Sequence, residues 1–589
     1  MLRWIASITS GRSGGSAMIR HVLVPTLLVL CASPAAAAPQ PPVPAEAAES
    51  REETFFESID VQVVNVEVYV TGRDGKRVTG LTRDDFELLE DGRPVELTNF
   101  FAVGGGTQDV PGAEPAAAVA GADQRLHLAL VLDDLTLTPQ SRNRLIQAVE
   151  ADVLPHLRAD DRALVAVVEG GTLRVTQGLT SDPEALRAAL QTAALGAPQG
   201  LLRVAAKREL LSRIESIGLP MPGDPGAAMQ VAIVQQVYED LKSYAAERAI
   251  ESRAGLGAVA DFVASLSGLP GRKAVLYLGG GLSVRPGEAL FQAWESKFGA
   301  AARTRGFEIH SSIFDGRRDD LTREVQDLAD TANANRVTFY TAGTTEELAG
   351  VSAAASFSAS WGSTLEALEK ANLRASLDTL AGGTGGLSAV DLPNPGALFG
   401  RMREDFDVYY SLGYVPERRR DGKNRKLEVR VRGRQDLQVR SRAGRRDTTN
   451  QERMSGRTLA ALVLDPGANP LELAVECTGE TRDKDQFLVD VLVKFPLAKL
   501  VLLPKESFHE GRVTLYVGAR DSRGRTSPIQ AIVVPVRVPN DQLLTVLGQT
   551  AAYKTTLRLR DDAHTIAVAM RDELGNADAA VAVKHRPGQ

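Results

Sequence analysis

From Val64 the apolar residues alternate: Val64, Val66, Val68 and Val70 stand against Asn65, Glu67, Tyr69 and Thr71. Period two predicts a half-buried strand, and Asp74-Gly75 supplies a turn after it. Two more strands are predicted at "FELLE" and "VELTNFF", joined by Asp91-Gly92, a pair that tolerates the positive φ of a tight hairpin. The small-residue stretch 104–124 then interrupts a β unit with too few strands to close a core. Strand-like segments return at "DVYYSLGYVP", "KLEVRVRG" and "LQVRSRA". The two pieces, 54–103 and 405–446, are therefore expected to form one composite β-sandwich with a domain inserted between them.

The insert, 125–404, changes period. "LHLALVLDD", "RALVAVVEGG", "KAVLYLGGG" and "RVTFYTAG" are short, nearly continuous apolar runs separated by helical stretches. That alternation predicts an α/β domain, a doubly wound and mainly parallel sheet buried on both faces. A helical insertion is expected over 201–268, broken at "GLPMPGDPG", and a surface loop over 345–363. After a polar linker at 447–456, the segments from "TLAALVLDP" onward alternate again, and 457–589 is expected as a separate C-terminal β-sandwich.

Length fits this division, since 589 residues call for about three to four domains. A formal net charge of −6 gives no reason to expect nucleic acid as a partner. Residues 1–38 carry Arg12, Arg20 and His21 ahead of "VLVPTLLVLCA" and then "SPAAAA", the layout of a removable secretory signal, with Met18 an alternative start. Cys31 follows Leu30 rather than the small residue that lipoprotein acylation requires. With Cys31 removed, Cys477 stands alone and no internal disulfide can form. Residues 39–53 read as a Pro-, Ala- and Glu-rich linker. A periplasmic or secreted location is expected, with no stable membrane insertion after cleavage.

The order of "VNVEVYVTGRDGKRVTGLTRDDFELLEDGRPVELTNF", "LALVLDDLTLTP", "GRKAVLYLGGG", "LDTLAGGTGG" and "YYSLGYVP" resembles the VWFA-related proteins of the acidobacterial type over residues 54–445. The resemblance implies a von Willebrand factor A-like domain. It also implies a protein partner, and in many such domains a metal-ion-dependent adhesion site in which Mg²⁺ or Mn²⁺ sits on a DxSxS motif after the first strand. On that pattern Asp134, Thr136 and Thr138, with Asp133 beside them, are the candidate metal ligands, threonine replacing serine. The pattern breaks elsewhere: its third loop expects an aspartate where this chain has Gly279, Gly280 and Gly281, and "LGAPQG" offers no second-loop threonine. A cation would be held weakly by so few oxygens, because Mg²⁺ gives up water reluctantly. The cofactor expectation is accordingly none, or weak Mg²⁺/Mn²⁺ at a degenerate site. The alternative reading makes Asp133 and Asp134 caps of the following helix and puts Thr136 and Thr138 in its first turn. Gly279 and Gly280 are expected on the ligand face beside Asp134.

The triple glycine lacks the spacing and the lysine of a phosphate loop and reads as a tight turn. Seven scattered histidines give no zinc spacing, and no GxSxG elbow occurs. No catalytic residue is assigned, and a non-enzymatic adhesion or scaffold protein is expected. An envelope hydrolase with a site assembled from distant residues and a structural spacer stand as alternatives. The segment 417–446 carries 13 basic and 4 acidic residues, either a docking face for an anionic partner or the solvated, charge-protected face of edge strands. The identity of the partner and the oligomeric state are left open.

Overall fold

The computed structural model describes residues 63–104, 126–218, 225–269, 271–305, 312–345, 359–392, 395–416, 423–446, 449–464 and 469–588. The expected signal, the linker 39–53 and nearly all of the linker 104–124 lie outside the described residues, as does most of the expected loop 345–363. The described residues fall into two units, 63–464 and 469–588.

The first unit opens with β1 (Val64–Thr71), β2 (Phe86–Glu90), β3 (Arg93–Val95) and β4 (Leu97–Val103). The chain then enters β5 (Leu126–Asp133), α1 (Pro139–Asp152), β6 (Arg162–Glu169), β7 (Thr172–Thr180) and α2 (Pro183–Ala194). Next come α3 (Gly200–Ser216), α4 (Ala227–Ser265), β8 (Arg272–Leu278), α5 (Glu288–Arg305), α6 (Ser312–Asp315) and α7 (Thr322–Ala334). The unit closes with β9 (Val337–Gly343), α8 (Ala359–Gly383), β10 (Ser388–Val390), α9 (Gly396–Asp407), β11 (Tyr409–Tyr414), β12 (Asn424–Val431), β13 (Gln438–Ser441), β14 (Gly444–Arg446) and α10 (Asn450–Val463).

Six strands make the central sheet in the order β10-β9-β8-β5-β6-β7, parallel throughout except for the antiparallel edge pair β6-β7. All of β5 is buried, as a parallel strand covered on both faces must be. Leu128, Leu130 and Leu132 point to the layer holding α1, α2 and α9, whereas Ala129 and Val131 point to the layer holding α4, α7 and α8. Burying such a leucine stabilises the fold by about 1.5–3 kcal/mol, which is why the run tolerates no charge before Asp133. The insertion α3-α4 builds a further core with α5, around Leu211, Ile214, Leu241, Phe291 and Trp294.

Two antiparallel sheets of four, β13-β1-β11-β4 and β14-β12-β2-β3, share one apolar core that includes Val66, Val68, Phe86, Leu412 and Val429. Val66 faces Leu412 and Leu88 faces Val429 in register, so each sheet joins strands from both sides of the central domain. Asp405, wholly buried at the end of α9, accepts from Tyr340 at 2.9 Å and Arg440 at 2.6 Å and pairs with Arg77, linking these strands to β9.

One expectation fails here. Residues 447–456 are not simply a linker, and "TLAALVLDP" does not begin a strand: Asn450–Val463 is helix α10. Thr449 Oγ1 accepts from Glu452 N–H at 3.1 Å and Glu452 Oε2 accepts from Thr449 N–H at 2.9 Å, a reciprocal cap. Met454, Thr458 and Ala461 follow helical spacing and are buried, and Leu464 belongs to the core on the α4 side of the central sheet. Helical periodicity set by the cap overrides the local alternation.

The second unit holds β15 (Ala474–Asp483), β16 (Gln486–Pro496), β17 (Leu503–Pro504), β18 (Phe508–Asp521), β19 (Gln530–Pro539), α11 (Leu543–Leu547), β20 (Thr550–Arg560), β21 (His564–Asp572) and β22 (Asp578–His585). One sheet runs β15-β16-β20; the other runs β17-β18-β21-β22 with β19 also on β18. Val491 and Val493 from the first sheet share a core with Leu515, Val517 and Val568 from the second. Among the described residues no helix is long and apolar enough to cross a membrane.

Candidate functional site

Strand order reverses between β5 and β8: the chain moves outward through β6 and β7, then returns to the other side of β5. In open α/β sheets the crevice at the carboxyl ends of two such strands is where ligands bind. Asp133 and Asp134 stand at the end of β5, and Gly279 and Gly280 directly after β8.

Asp133 is wholly buried and fully engaged. Its Oδ2 accepts from Thr136 Oγ1 and from the Tyr277 hydroxyl, both at 2.6 Å, and its Oδ1 accepts from Leu135 N–H at 3.2 Å. Burial pushes its carboxyl above the ordinary value, opposed by those hydrogen bonds. Thr136 Oγ1 in turn accepts from Gly280 N–H at 3.0 Å, so a chain of hydrogen bonds sews the end of β8 to the end of β5.

The glycines permit this closeness. A Cβ on Gly279 would lie 3.1 Å from Asp133 Cβ and 3.2 Å from Thr136 Oγ1. Gly281 takes φ +86° with its α-carbon backed against the Leu373 carbonyl, a conformation that favours glycine.

Asp134 meets a different partner. Its Oδ2 accepts from Arg142 Nη1 at 3.1 Å, while Arg142 Nη2 donates to the carbonyls of Ala194 at 2.7 Å and Gly196 at 2.9 Å. One guanidinium, 1% exposed, thus ties the end of β5, helix α1 and the α2-α3 loop together. The loop is also held by Gln199 N–H on the Asp134 carbonyl at 2.7 Å and Gly200 N–H on the Leu137 carbonyl at 3.0 Å. Asp134 Oδ1 is buried without a partner. Burial lifts the carboxyl to about 6, with Arg142 opposing the rise and Asp133 adding to it.

Thr138 is the true helix cap: its Oγ1 accepts from Ser141 N–H at 3.1 Å, and Ser141 Oγ accepts from Thr138 N–H at 2.9 Å. The aspartates therefore do not cap α1, as the alternative reading expected. Asp133, Asp134, Thr136, Thr138, Gly279 and Gly280 come together, yet all are buried, so the two glycines present no open ligand face.

This donor set does not fit a divalent cation. A guanidinium occupies one oxygen of Asp134, both threonine hydroxyls are engaged, and the β8 loop offers glycine where a further carboxylate would be needed. Among the described residues no group of three or more His, Cys, Asp or Glu is placed to hold a metal.

No family model and no curated protein matches the chain. Among solved structures it is similar to the SpRpn10 VWA domain (8% identity, 48% of this chain and 94% of that chain, TM-score 0.19). It is similar also to the ArnB paralog VWA2 from Sulfolobus acidocaldarius (8%, 89% and 74%, TM-score 0.18) and to the TFIIH p34 N-terminal domain (9%, 48% and 97%, TM-score 0.14). Two of these are VWA domains by name. Likenesses this slight fix neither fold nor function.

Sequence reasoning missed Arg142 and Tyr277, and it missed Arg203, Lys207 and Arg248, which wall a cavity above Thr136. A signal existed for two of these cations. Arg142 lies on the apolar stripe of Leu145, Ile146 and Val149, and Lys207 on that of Val204, Leu211 and Ile214. A charge on a core stripe needs a partner inside. The basic segment 417–446 is largely absorbed within the chain: Arg440 pairs with Asp405, Arg445 with Glu90 at 2.5 Å and Arg446 with Glu452 at 2.7 Å, while Arg442 donates to the Asn65 carbonyl at 2.7 Å. Residues 417–422 lie outside the described residues.

Proposed function

We propose that the chain is an exported, non-enzymatic protein-binding protein, with an adhesion or scaffold role, that engages its partner at the loop face of a von Willebrand A-like domain without a metal ion. The observation that carries this reading is an apolar rim at the switch point. Leu195, at the end of α2, and Leu201 and Leu202, in the first turn of α3, are 87%, 56% and 72% exposed and flank the loop that Asp134 and Leu137 hold by their carbonyls. Single exposed leucines are ordinary, but three around one loop beside a ligand crevice mark a surface that a partner covers.

The strand order and the sequence resemblance support the A-like fold. Arg142 on Asp134 supports a degenerate adhesion site in which a guanidinium neutralises the carboxylate. The shared core of the two four-stranded sheets supports a composite β-sandwich, and the two sheets of 469–588 a second one. Export, to the periplasm or beyond, rests on residues 1–38.

A photo-crosslinking amino acid in place of Leu202 tests the interface in cells of the source organism. A discrete adduct is expected there and none with the same replacement at Lys494, which lies in the other unit. Equal labelling at both positions, or none at either, would sink the reading.

A further inference from the structure

The cavity over Thr136 is the strongest unassigned feature of the first unit. It measures about 40 Å³, and α3 supplies Arg203 and Lys207 to its wall, α4 supplies Tyr244, Arg248 and Ser252, and Ser283 enters from the loop after β8. Arg203 and Lys207 are one helical turn apart, as are Tyr244, Arg248 and Ser252, so each helix presents a single polar stripe to the cavity.

Three carboxylates pair with its three cations, and one of the three is largely exposed. Glu251 accepts from Arg203 Nη2 and Arg248 Nη1, each at 2.8 Å, and Glu369 accepts from Lys207 at 3.2 Å. Glu247, the other carboxylate on Arg248, is 66% exposed at 3.2 Å. Three donor atoms on this wall are buried without any partner: Arg203 Nε, Arg248 Nε and Ser283 Oγ. Buried donors are almost always satisfied, so three on residues that line one cavity call for an acceptor there.

We infer that this cavity is a carboxylate site, filled by an aspartate or glutamate side chain of the bound partner. A guanidinium presents forked N–H donors that match the two oxygens of a carboxylate. A cation supplied by the chain itself thus stands beside the switch point and attracts the acidic group directly.

The side-chain source rests on the protein-binding reading above. Titration of the full chain at constant ionic strength tests it with three probes: sodium acetate, the peptide acetyl-Gly-Glu-Gly-amide, and the same peptide with glutamine. The glutamate peptide is expected to bind in the millimolar range, at least about tenfold tighter than the glutamine peptide, because an ionised acceptor bonds guanidinium more strongly. Arg203→Gln should weaken it about tenfold, and Ser283→Ala, which removes one hydroxyl and leaves the helices intact, a few-fold. Equal binding of the two peptides, no binding at all, or unchanged affinity in Ser283→Ala and a folded Arg203→Gln would overturn the site. Acetate binding without glutamate-peptide binding would overturn the side-chain source. Sulfate binding tighter than acetate would overturn the carboxylate class. None of these failures touches the crosslink at Leu202, so the two readings fail separately.

Discussion

Replacing Arg142 by methionine keeps the apolar stem of the side chain and removes the guanidinium that Asp134, Ala194 and Gly196 share. Removing one partner of a buried ion pair costs about 3–5 kcal/mol, because the other charge stays buried. The two carbonyls lose a charged donor, at about 1 kcal/mol each where water does not replace it. A loss of about 4–6 kcal/mol at pH 8 is expected. The pH dependence carries the sharper signature. Asp134 already titrates near 6 in the folded chain with Arg142 beside it, and without Arg142 its folded value rises further. Between those two values the variant binds a proton that the wild type does not, so its deficit shrinks as pH falls. At pH 5 about half of the loss should remain. Urea unfolding followed by tryptophan fluorescence reads this, since the buried Trp294 reports on the first unit. A deficit below about 1 kcal/mol at pH 8, or one that grows toward pH 5, would refute the pairing argument.

Three other outcomes follow from the same geometry. Asp134 has a folded value raised from 3.8 to about 6, so its contribution to stability is present below pH 4 and lost as pH rises through 6. Two pKa units correspond to about 3 kcal/mol, and the stability of the wild type relative to Asp134→Asn should fall by about that amount between pH 4 and 7 in parallel urea titrations. Gly281→Ala places a methyl 2.3 Å from the Leu373 carbonyl at φ +86°; a loss of about 2 kcal/mol or more is expected, and an unchanged unfolding midpoint would show that the loop yields. Leu201→Glu should leave stability within about 0.5 kcal/mol while abolishing the crosslink at position 202; an undiminished crosslink would place the partner elsewhere.

Much of the fold is legible in the residues. The buried run Leu126–Asp133 and its counterparts announce a parallel sheet, and period two at Val64–Val70 announces the flanking strands. The helix Asn450–Val463 was not legible as strand chemistry, because "TLAALVLDP" alternates apolar residues locally while the capping pair Thr449 and Glu452 lies upstream of it. For the site, sequence brings forward residues that the fold gathers at the ends of β5 and β8, but not their state. Asp134, Thr136 and Thr138 have the spacing of metal ligands, and what each oxygen does depends on partners remote in the chain. Tyr277 reaches Asp133 only through strand pairing, and Arg142 reaches Asp134 only after α1 folds back over the end of β5. The cavity cations come from an insertion whose stripes are readable but whose position above Thr136 is a tertiary fact.

The central claim is that a guanidinium, and not a metal ion, compensates Asp134 at the switch point. Thermal unfolding of the full chain in EDTA, and then in millimolar Mn²⁺ or Mg²⁺, tests it most directly, because a cation bound only by the folded state raises its stability by mass action. The account expects the same midpoint in all three solutions. A midpoint raised by the metal in the wild type and left unmoved by it in Asp134→Ala would contradict it.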